Sequence, residues 1–290
     1  MSLNKVALGT AQFGYNYGEF NPDGKINFDE QNSIIRYAEK NGIDTLDTAI
    51  GYKQSENNLG LLGVKNFKVI TKIPPIPNNS KDIVQWLEEE LKKSFNRLRV
   101  GCVYAILLHR SEDIIKYNGK VIDYLLKIKK LGLVKKIGVS IYSPNELESI
   151  LKQINIDIVQ TPLSIIDNRI IQTGWLKKLK EKKIEVHARS VFLQGLLLIP
   201  INKLPRKFKT WKNIWDKWHK LQKEYPRLNS IDICLSFVNS IKEINKIVIG
   251  VNNLKQLKQI IHTNFEKKIN YPDISCKDEK LLYPFNWKSL

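Results

Sequence analysis

The sequence predicts an α/β fold, a single-domain (β/α)8 TIM barrel, from three observations. Eight short apolar, β-branched runs recur along the 290 residues. Amphipathic stretches with helix start and stop signals lie between them, the pattern of βα units around a parallel sheet. No G-x-G-x-x-G follows the first run, so the phosphate fingerprint of an open dinucleotide-binding sheet is absent. An open doubly wound sheet rarely needs eight strands, whereas a closed barrel of about 250 residues does.

The runs, in order, are "KVALGT" from Lys5, "IDTLDTA" from Ile43, "FKVITKI" from Phe67, "CVYAILLH" from Cys102, "VKKIGVS" from Val134, "IDIVQTPL" from Ile156, "IEVHARS" from Ile184 and "NKIVIGV" from Asn245. Gly42 and Gly132 follow two of the helical stretches, where a left-handed residue ends a helix. From about Asp82 a helix places Ile83, Leu87, Leu91, Phe95 and Leu98 on one stripe. In "YSPNEL" Ser143 is a candidate N-cap, Pro144 suits the first helical position and Glu146 completes a capping box. The spacing between the seventh and eighth runs is too long for one crossover, so we expect an extended insertion over 195–230. Within it Trp211, Trp215 and Trp218 read as the buried stripe of a helix, and "KLPRKFK" as a flexible cover. One domain, 1–290, with a C-terminal tail from about 263, is the expected organisation.

Lys and Arg number 47 against 29 Asp and Glu, a formal charge of +18. The basic residues are interleaved with apolar ones at helical spacing, which reads as solvated helix faces rather than a nucleic-acid arm. No run approaches a membrane span and "MSLNKVALGT" has no signal-peptide core, so a cytoplasmic protein without membrane or nucleic-acid partners is expected. Three scattered cysteines and four histidines without ligand spacing give no disulfide frame and no metal site. The oligomeric state is not legible.

In a barrel the chemistry sits at the C-terminal strand ends. Asp47 ends the second run, Lys72 the third and His109 the fourth, and Tyr52 follows the second in its loop. Singly, each has a plain structural role: a turn cap, a snorkelling lysine, a satisfied histidine, a loop tyrosine. On three successive strand ends they fit together chemically. An ammonium beside a phenol lowers its pKa, so Lys72 would make Tyr52 a usable acid. Asp47 would hold the lysine, and His109 would donate to an oxygen on which charge develops. Such machinery protonates a carbonyl oxygen as a hydride reaches the carbon, which requires a hydride-donating cofactor.

These residues, with "LGTAQFG", "LDTAIGY", "TKI" and "LLHR" in order, resemble the aldo-keto reductase family from Val6 to about Ile261. The resemblance implies a (β/α) barrel that reduces an aldehyde or ketone with NADPH, rather than NADH, through the tetrad Asp47, Tyr52, Lys72 and His109. It also implies cofactor contacts: Thr10 and Ala11 below the nicotinamide, Ser140 and Gln160 at its carboxamide, Ser190, Leu193 and Gly195 at the pyrophosphate, and Asp47 in addition to its place in the tetrad. Gly250, Asn252 and Gln256 fall in "IGVNNLKQLKQ", which resembles the element receiving the adenosine 2′-phosphate. There Asn253 is a candidate N-cap, and Lys255 and Lys258 flank a helix N-terminus suited to an anion.

Two positions depart from the family pattern. Ile141 stands where Asn often follows the serine of the fifth strand, and Arg189 where an aromatic residue often lies under the nicotinamide. A guanidinium can stack on that ring, but it adds a charge, which would also suit an acidic substrate group. "GTAQFG" with "RSVFLQGLL" looks most like a bacterial branch associated with cell-surface sugar biosynthesis, which points to a sugar-derived carbonyl. The alternative is an NADPH-binding regulatory or interaction protein on the same barrel with little turnover.

Overall fold

The structure is a computed structural model that describes residues 5–21, 24–263 and 269–290. Eight strands form where the eight runs lie: β1 (Val6–Gly9), β2 (Thr45–Asp47), β3 (Lys68–Ile73), β4 (Val103–Leu108), β5 (Val134–Ser140), β6 (Ile158–Pro162), β7 (Glu185–Arg189) and β8 (Ile244–Gly250). Each pairs in parallel with the next and β8 returns to β1, closing the barrel.

The core is divided by the sheet. Outward-facing strand residues and the inner stripes of the helices make one large apolar cluster. Inside the barrel, Ile70, Ala105, Leu107 and Ile158 form a second, small one. Charged and polar side chains occupy both mouths, which is why the inner cluster is short.

The helix Phe28–Lys40 starts on Asn27, whose side chain accepts from the Glu30 N–H, and its exit uses Gly42 at φ +78°. Asp82 caps Ile83–Leu98, burying Leu87, Leu91 and Leu98 with Ile83 and Phe95 half-buried, so the predicted stripe meets the barrel. The start expected at Ser143 is shifted. The helix proper is Glu146–Gln153, Pro144 lies in the preceding turn, and the Glu146 carboxylate accepts from the Ser143 N–H at 2.6 Å. Ser143 Oγ accepts from Asn145 instead of closing the box.

Between β7 and β8 the chain makes short 3-10 turns over Leu193–Leu198, Ile201–Lys203 and Arg206–Trp211, then the helices Lys212–Glu224 and Ser230–Ser240. Trp215 and Trp218 are buried in the first of these helices. The "KLPRKFK" segment is pinned rather than loose. Phe208 is fully buried against Trp287, ring centroids 4.9 Å apart, and Phe20 from the β1 loop packs on both rings. Lys207 reaches Glu19 and the Trp287 carbonyl. The expected start of the tail borders 264–268, outside the described residues, and 269–290 return to the barrel mouth through Trp287, Tyr283 and Phe285.

Candidate active site

β1, β2 and β3 end side by side and bring their polar termini together. The Thr10 N–H and hydroxyl both donate to the Asp47 carbonyl, at 2.9 and 3.0 Å, and the Ser55 hydroxyl donates back to Thr10. These bonds fix the strand ends from which Asp47 projects. Gly14 matters here because a Cβ on it would lie 1.7 Å from the Tyr52 carbonyl oxygen, so only glycine lets the β1 loop support the Tyr52 loop.

Asp47 and Lys72 form a buried ion pair of 2.6 Å with side chains 4% and 1% exposed. Lys72 Nζ also donates to the Thr48 carbonyl at 2.9 Å, and the second Asp47 oxygen accepts from the Gln160 amide at 2.7 Å. Lys72 Nζ lies 5.4 Å from the centre of the Tyr52 ring, and His109 meets that ring edge-on at 5.9 Å. The four residues predicted from the strand ends therefore converge.

Their electrostatics differ from expectation in one respect. Tyr52 is held above the ordinary phenol range rather than below it, chiefly by burial, with the Asp47 charge adding to the effect. The lysine charge is directed at Asp47 and Thr48, and it sits over the ring. Arg189 is the cation whose charge acts to lower Tyr52. Burial also pulls Lys72 down, against the raising effect of Asp47. His109 is lowered to about 4 by burial and by the Lys72 and Arg189 charges, so it is neutral at physiological pH.

Beside Asp47 and Tyr52 opens a cavity of about 520 Å³, within the usual size of small-molecule sites. Its wall includes Thr10, Ala11, Gln160, Arg189 and Ser190, and, further along, Gly195, Gly250, Asn252 and Gln256. Ser140 and Leu193 do not reach the wall. Ser140 is buried opposite Gln160 in the sheet, and Leu193 is packed into the core. The turn after β7 holds Ser190, Leu193, Gln194 and Gly195 at positive φ, which curls its backbone along the cavity.

Sequence reasoning missed Gln12, Phe20 and Gln194 on this wall, which Tyr17 also lines. Gln12 had a readable signal, an amide between glycines of "GTAQFG". It lies against Gly250, where a Cβ would come within 2.6 Å of the amide. The amide oxygens of Gln12 and Asn252 are buried without a hydrogen-bond partner among the described residues. Two orphaned acceptors on one elongated wall fit an extended polar ligand such as a dinucleotide.

The helix Leu254–Ile261 begins as predicted, with Asn253 accepting from the Gln256 N–H and Gln256 accepting from the Asn252 N–H. Its N-terminus is already served from within the chain. The Glu30 carboxylate accepts from the Leu254 N–H at 2.5 Å, which places an anion where the 2′-phosphate was expected. Lys255 and Lys258 are exposed beside it.

A family model described as the aldo/keto reductase family matches residues 5–276. The chain belongs to that family. Among curated relatives, the chain is 23% identical over 266 residues to YqkF, an uncharacterized oxidoreductase of Bacillus subtilis (strain 168), covering 84% of this chain and 85% of that protein. It is 28% identical over 176 residues to the glyoxal reductase of the same organism, covering 59% and 62%. Its fold matches the holo form of the aldo-keto reductase AKR11C1 from Bacillus halodurans with a TM-score of 0.72 at 19% identity, over 92% of this chain and 88% of that one. The glycerol dehydrogenase AKR11B4 from Gluconobacter oxydans matches with a TM-score of 0.71 at 21% identity, over 92% and 87%. Membership carries the general chemistry of an oxidoreductase, NAD(P)H-dependent carbonyl reduction. No helix among the described residues is long and apolar enough to cross a membrane, and no cluster among them has the donors to hold a metal ion.

Proposed function

We propose that the protein is an NADPH-dependent carbonyl reductase in which Tyr52 is the general acid, acting on an aldehyde or ketone that includes sugar-derived ones. The observation that carries this reading is the buried Asp47–Lys72 pair set beneath a tyrosine that a neutral histidine meets edge-on. A bound nicotinamide supplies the hydride. The Tyr52 phenol, protonated at neutral pH, holds the proton that the carbonyl oxygen takes as its carbon is reduced, and neutral His109 orients that oxygen. Lys72 stabilises the phenolate left behind, and Asp47, fixed by Gln160, keeps Lys72 in place. Tyr52 would give its proton to the oxygen as the carbon is reduced, and with the hydride that a nicotinamide would supply the step balances as the alcohol and the oxidised cofactor.

The orphaned amides of Gln12 and Asn252, with Ser190 and Gly195, are the groups offered to the dinucleotide. Exposed Lys255 and Lys258 favour NADPH. Glu30 favours NADH, since a carboxylate there suits a ribose hydroxyl better than a phosphate. Replacing Tyr52 by Phe should lower turnover of a good carbonyl substrate by about 10²–10⁴-fold and leave NADPH quenching of tryptophan fluorescence nearly intact. Reduction at the wild-type rate would sink the assignment. Glu30→Gln should shift the NADPH-to-NADH affinity ratio toward NADPH by about two- to fivefold, and an unmoved ratio would remove Glu30 from cofactor choice.

A further inference from the structure

Among the described residues four arginines are neither fully buried nor exposed: Arg97, Arg110, Arg169 and Arg189. Three of them hold a carboxylate. Arg97 bonds Glu56, Arg110 bonds Asp113 and Arg169 bonds Asp167, in each case through the guanidinium fork. The fourth, Arg189, has only neutral partners. Its Nη2 donates to the Ile141 carbonyl at 3.0 Å and its Nη1 to the Ser190 hydroxyl at 3.2 Å. The guanidinium carbon stacks 4.6 Å from the centre of the Tyr142 ring. No ion pair among the described residues includes Arg189.

This arginine is placed with care for a group that has no counter-ion. It leaves the end of β7, and the fork is held from two sides by Ile141 and Tyr142 at the end of β5. Tyr142 in turn is braced edge-on by Tyr283 and Phe285 at 5.7 and 5.6 Å. Arg189 forms part of the cavity wall together with Tyr52 and Tyr17, and its charge reaches both phenols and His109. Asp47, the acid of this wall, is engaged by Lys72 and Gln160. The wall therefore carries a rigidly held cation in excess beside Tyr52, with further N–H donors of its fork available to a planar anion, while Lys203, the other basic residue of the wall, is exposed.

Resting on the carbonyl reductase reading, we infer that Arg189 receives an anionic group of the substrate, a carboxylate or phosphate carried on the same small molecule as the carbonyl presented to Tyr52. The substrate class is then an oxo-acid or a phosphorylated oxo-compound. Ile141, which replaces the expected amide, contributes through its backbone: its carbonyl orients the guanidinium.

The test compares kcat/KM for 4-carboxybenzaldehyde with that for its neutral methyl ester, and glyceraldehyde 3-phosphate with glyceraldehyde, in wild type, Arg189→Gln and Arg189→Lys. The wild type should favour the charged member of at least one pair by about tenfold or more, and which pair responds separates carboxylate from phosphate. The preference should fall to about 1 in Arg189→Gln and return in part in Arg189→Lys. No preference in the wild type, or one that survives both substitutions, overturns the inference. So does a preference that persists while NADPH binding weakens in Arg189→Gln, because the arginine then serves the cofactor. If no aldehyde in either pair is reduced, the reductase reading has failed. Calorimetric titration of the NADPH complex with benzoate and with inorganic phosphate still decides the arginine: binding of either that is lost in Arg189→Gln supports it, and absence of binding of both to wild type overturns it.

Discussion

The two mouths of this barrel carry the same pair of residue types on the same two strands. At the N-terminal mouth Asp44, just before β2, meets Lys68 of β3 at 2.8 Å with side chains 35% and 49% exposed. At the C-terminal mouth Asp47 meets Lys72 at 2.6 Å with side chains 4% and 1% exposed. The lower pair belongs to a wet charge layer: Lys246 also bonds Asp44, Lys136 bonds Glu185, and Tyr104 lies against Lys68 and Lys136. The upper pair has no water to fall back on. An ion pair in solvent costs little to break, whereas one sealed in a core leaves an uncompensated charge when a partner is removed. One chemical motif thus serves solubility at one end and a fixed charge array at the other.

Breaking the upper pair should give the largest effect. Lys72→Met leaves Asp47 buried without its cation and should cost about 3–5 kcal/mol of stability, read by urea unfolding, along with the loss of turnover. A cost below that of Lys68→Met would show that the burial contrast is not what separates the two ends.

Acid should sharpen the comparison by separating the mouths along the pH axis. His109 at the upper mouth is lowered from 6.5 to about 4. The unfolded chain takes up a proton in that interval that the native state refuses, so stability falls as pH drops from about 6.5 toward 4. At the lower mouth Asp44 and Glu185 are both held down to about 2, against ordinary values of 3.8 and 4.5. Their contribution is present above those ordinary values and is lost as pH falls toward 2. Unfolding at pH 7, 4 and 2 should show that His109→Gln shrinks the first drop and largely leaves the second. Equal drops in both proteins would contradict the neutral histidine.

The smallest effect belongs to Lys68→Met, under about 1 kcal/mol and fading in molar salt, as for any half-exposed pair. A salt-independent loss larger than this would mean that the lower layer is sealed after all.

Much of this was legible in the sequence because period and strand ends are local. All eight strands formed on the predicted runs, and Asp47, Lys72 and His109 lie at strand ends that neighbour one another once the barrel closes. The lower charge layer had a signal that went unread: Lys68 shares its face with Ile70 and Lys72 by the two-residue period of a strand, so it points into the barrel. Other features had no local signal. The Tyr142 brace depends on Tyr283 and Phe285, more than a hundred residues away, and the Glu30 cap on the Leu254 helix joins distant segments. The sign of the Tyr52 shift was missed for a physical reason. Burial and the Asp47 charge both oppose ionisation, and spacing along the chain does not reveal where the Lys72 ammonium points.

Every sheet contact in the barrel joins strands that follow one another in the chain, except the seam where Gly9 of β1 lies beside Gly250 of β8. The cavity runs across that seam, with Gly9 and Thr10 on one side and Gly250 and Asn252 on the other. Seam formation closes a loop of nearly the whole chain, the slowest kind of contact to make. A molecule seated there acts as a clasp on the ring, so occupancy should slow the opening of the barrel as a whole. How fast the protein turns over in a cell is then tied to how much ligand the cell contains.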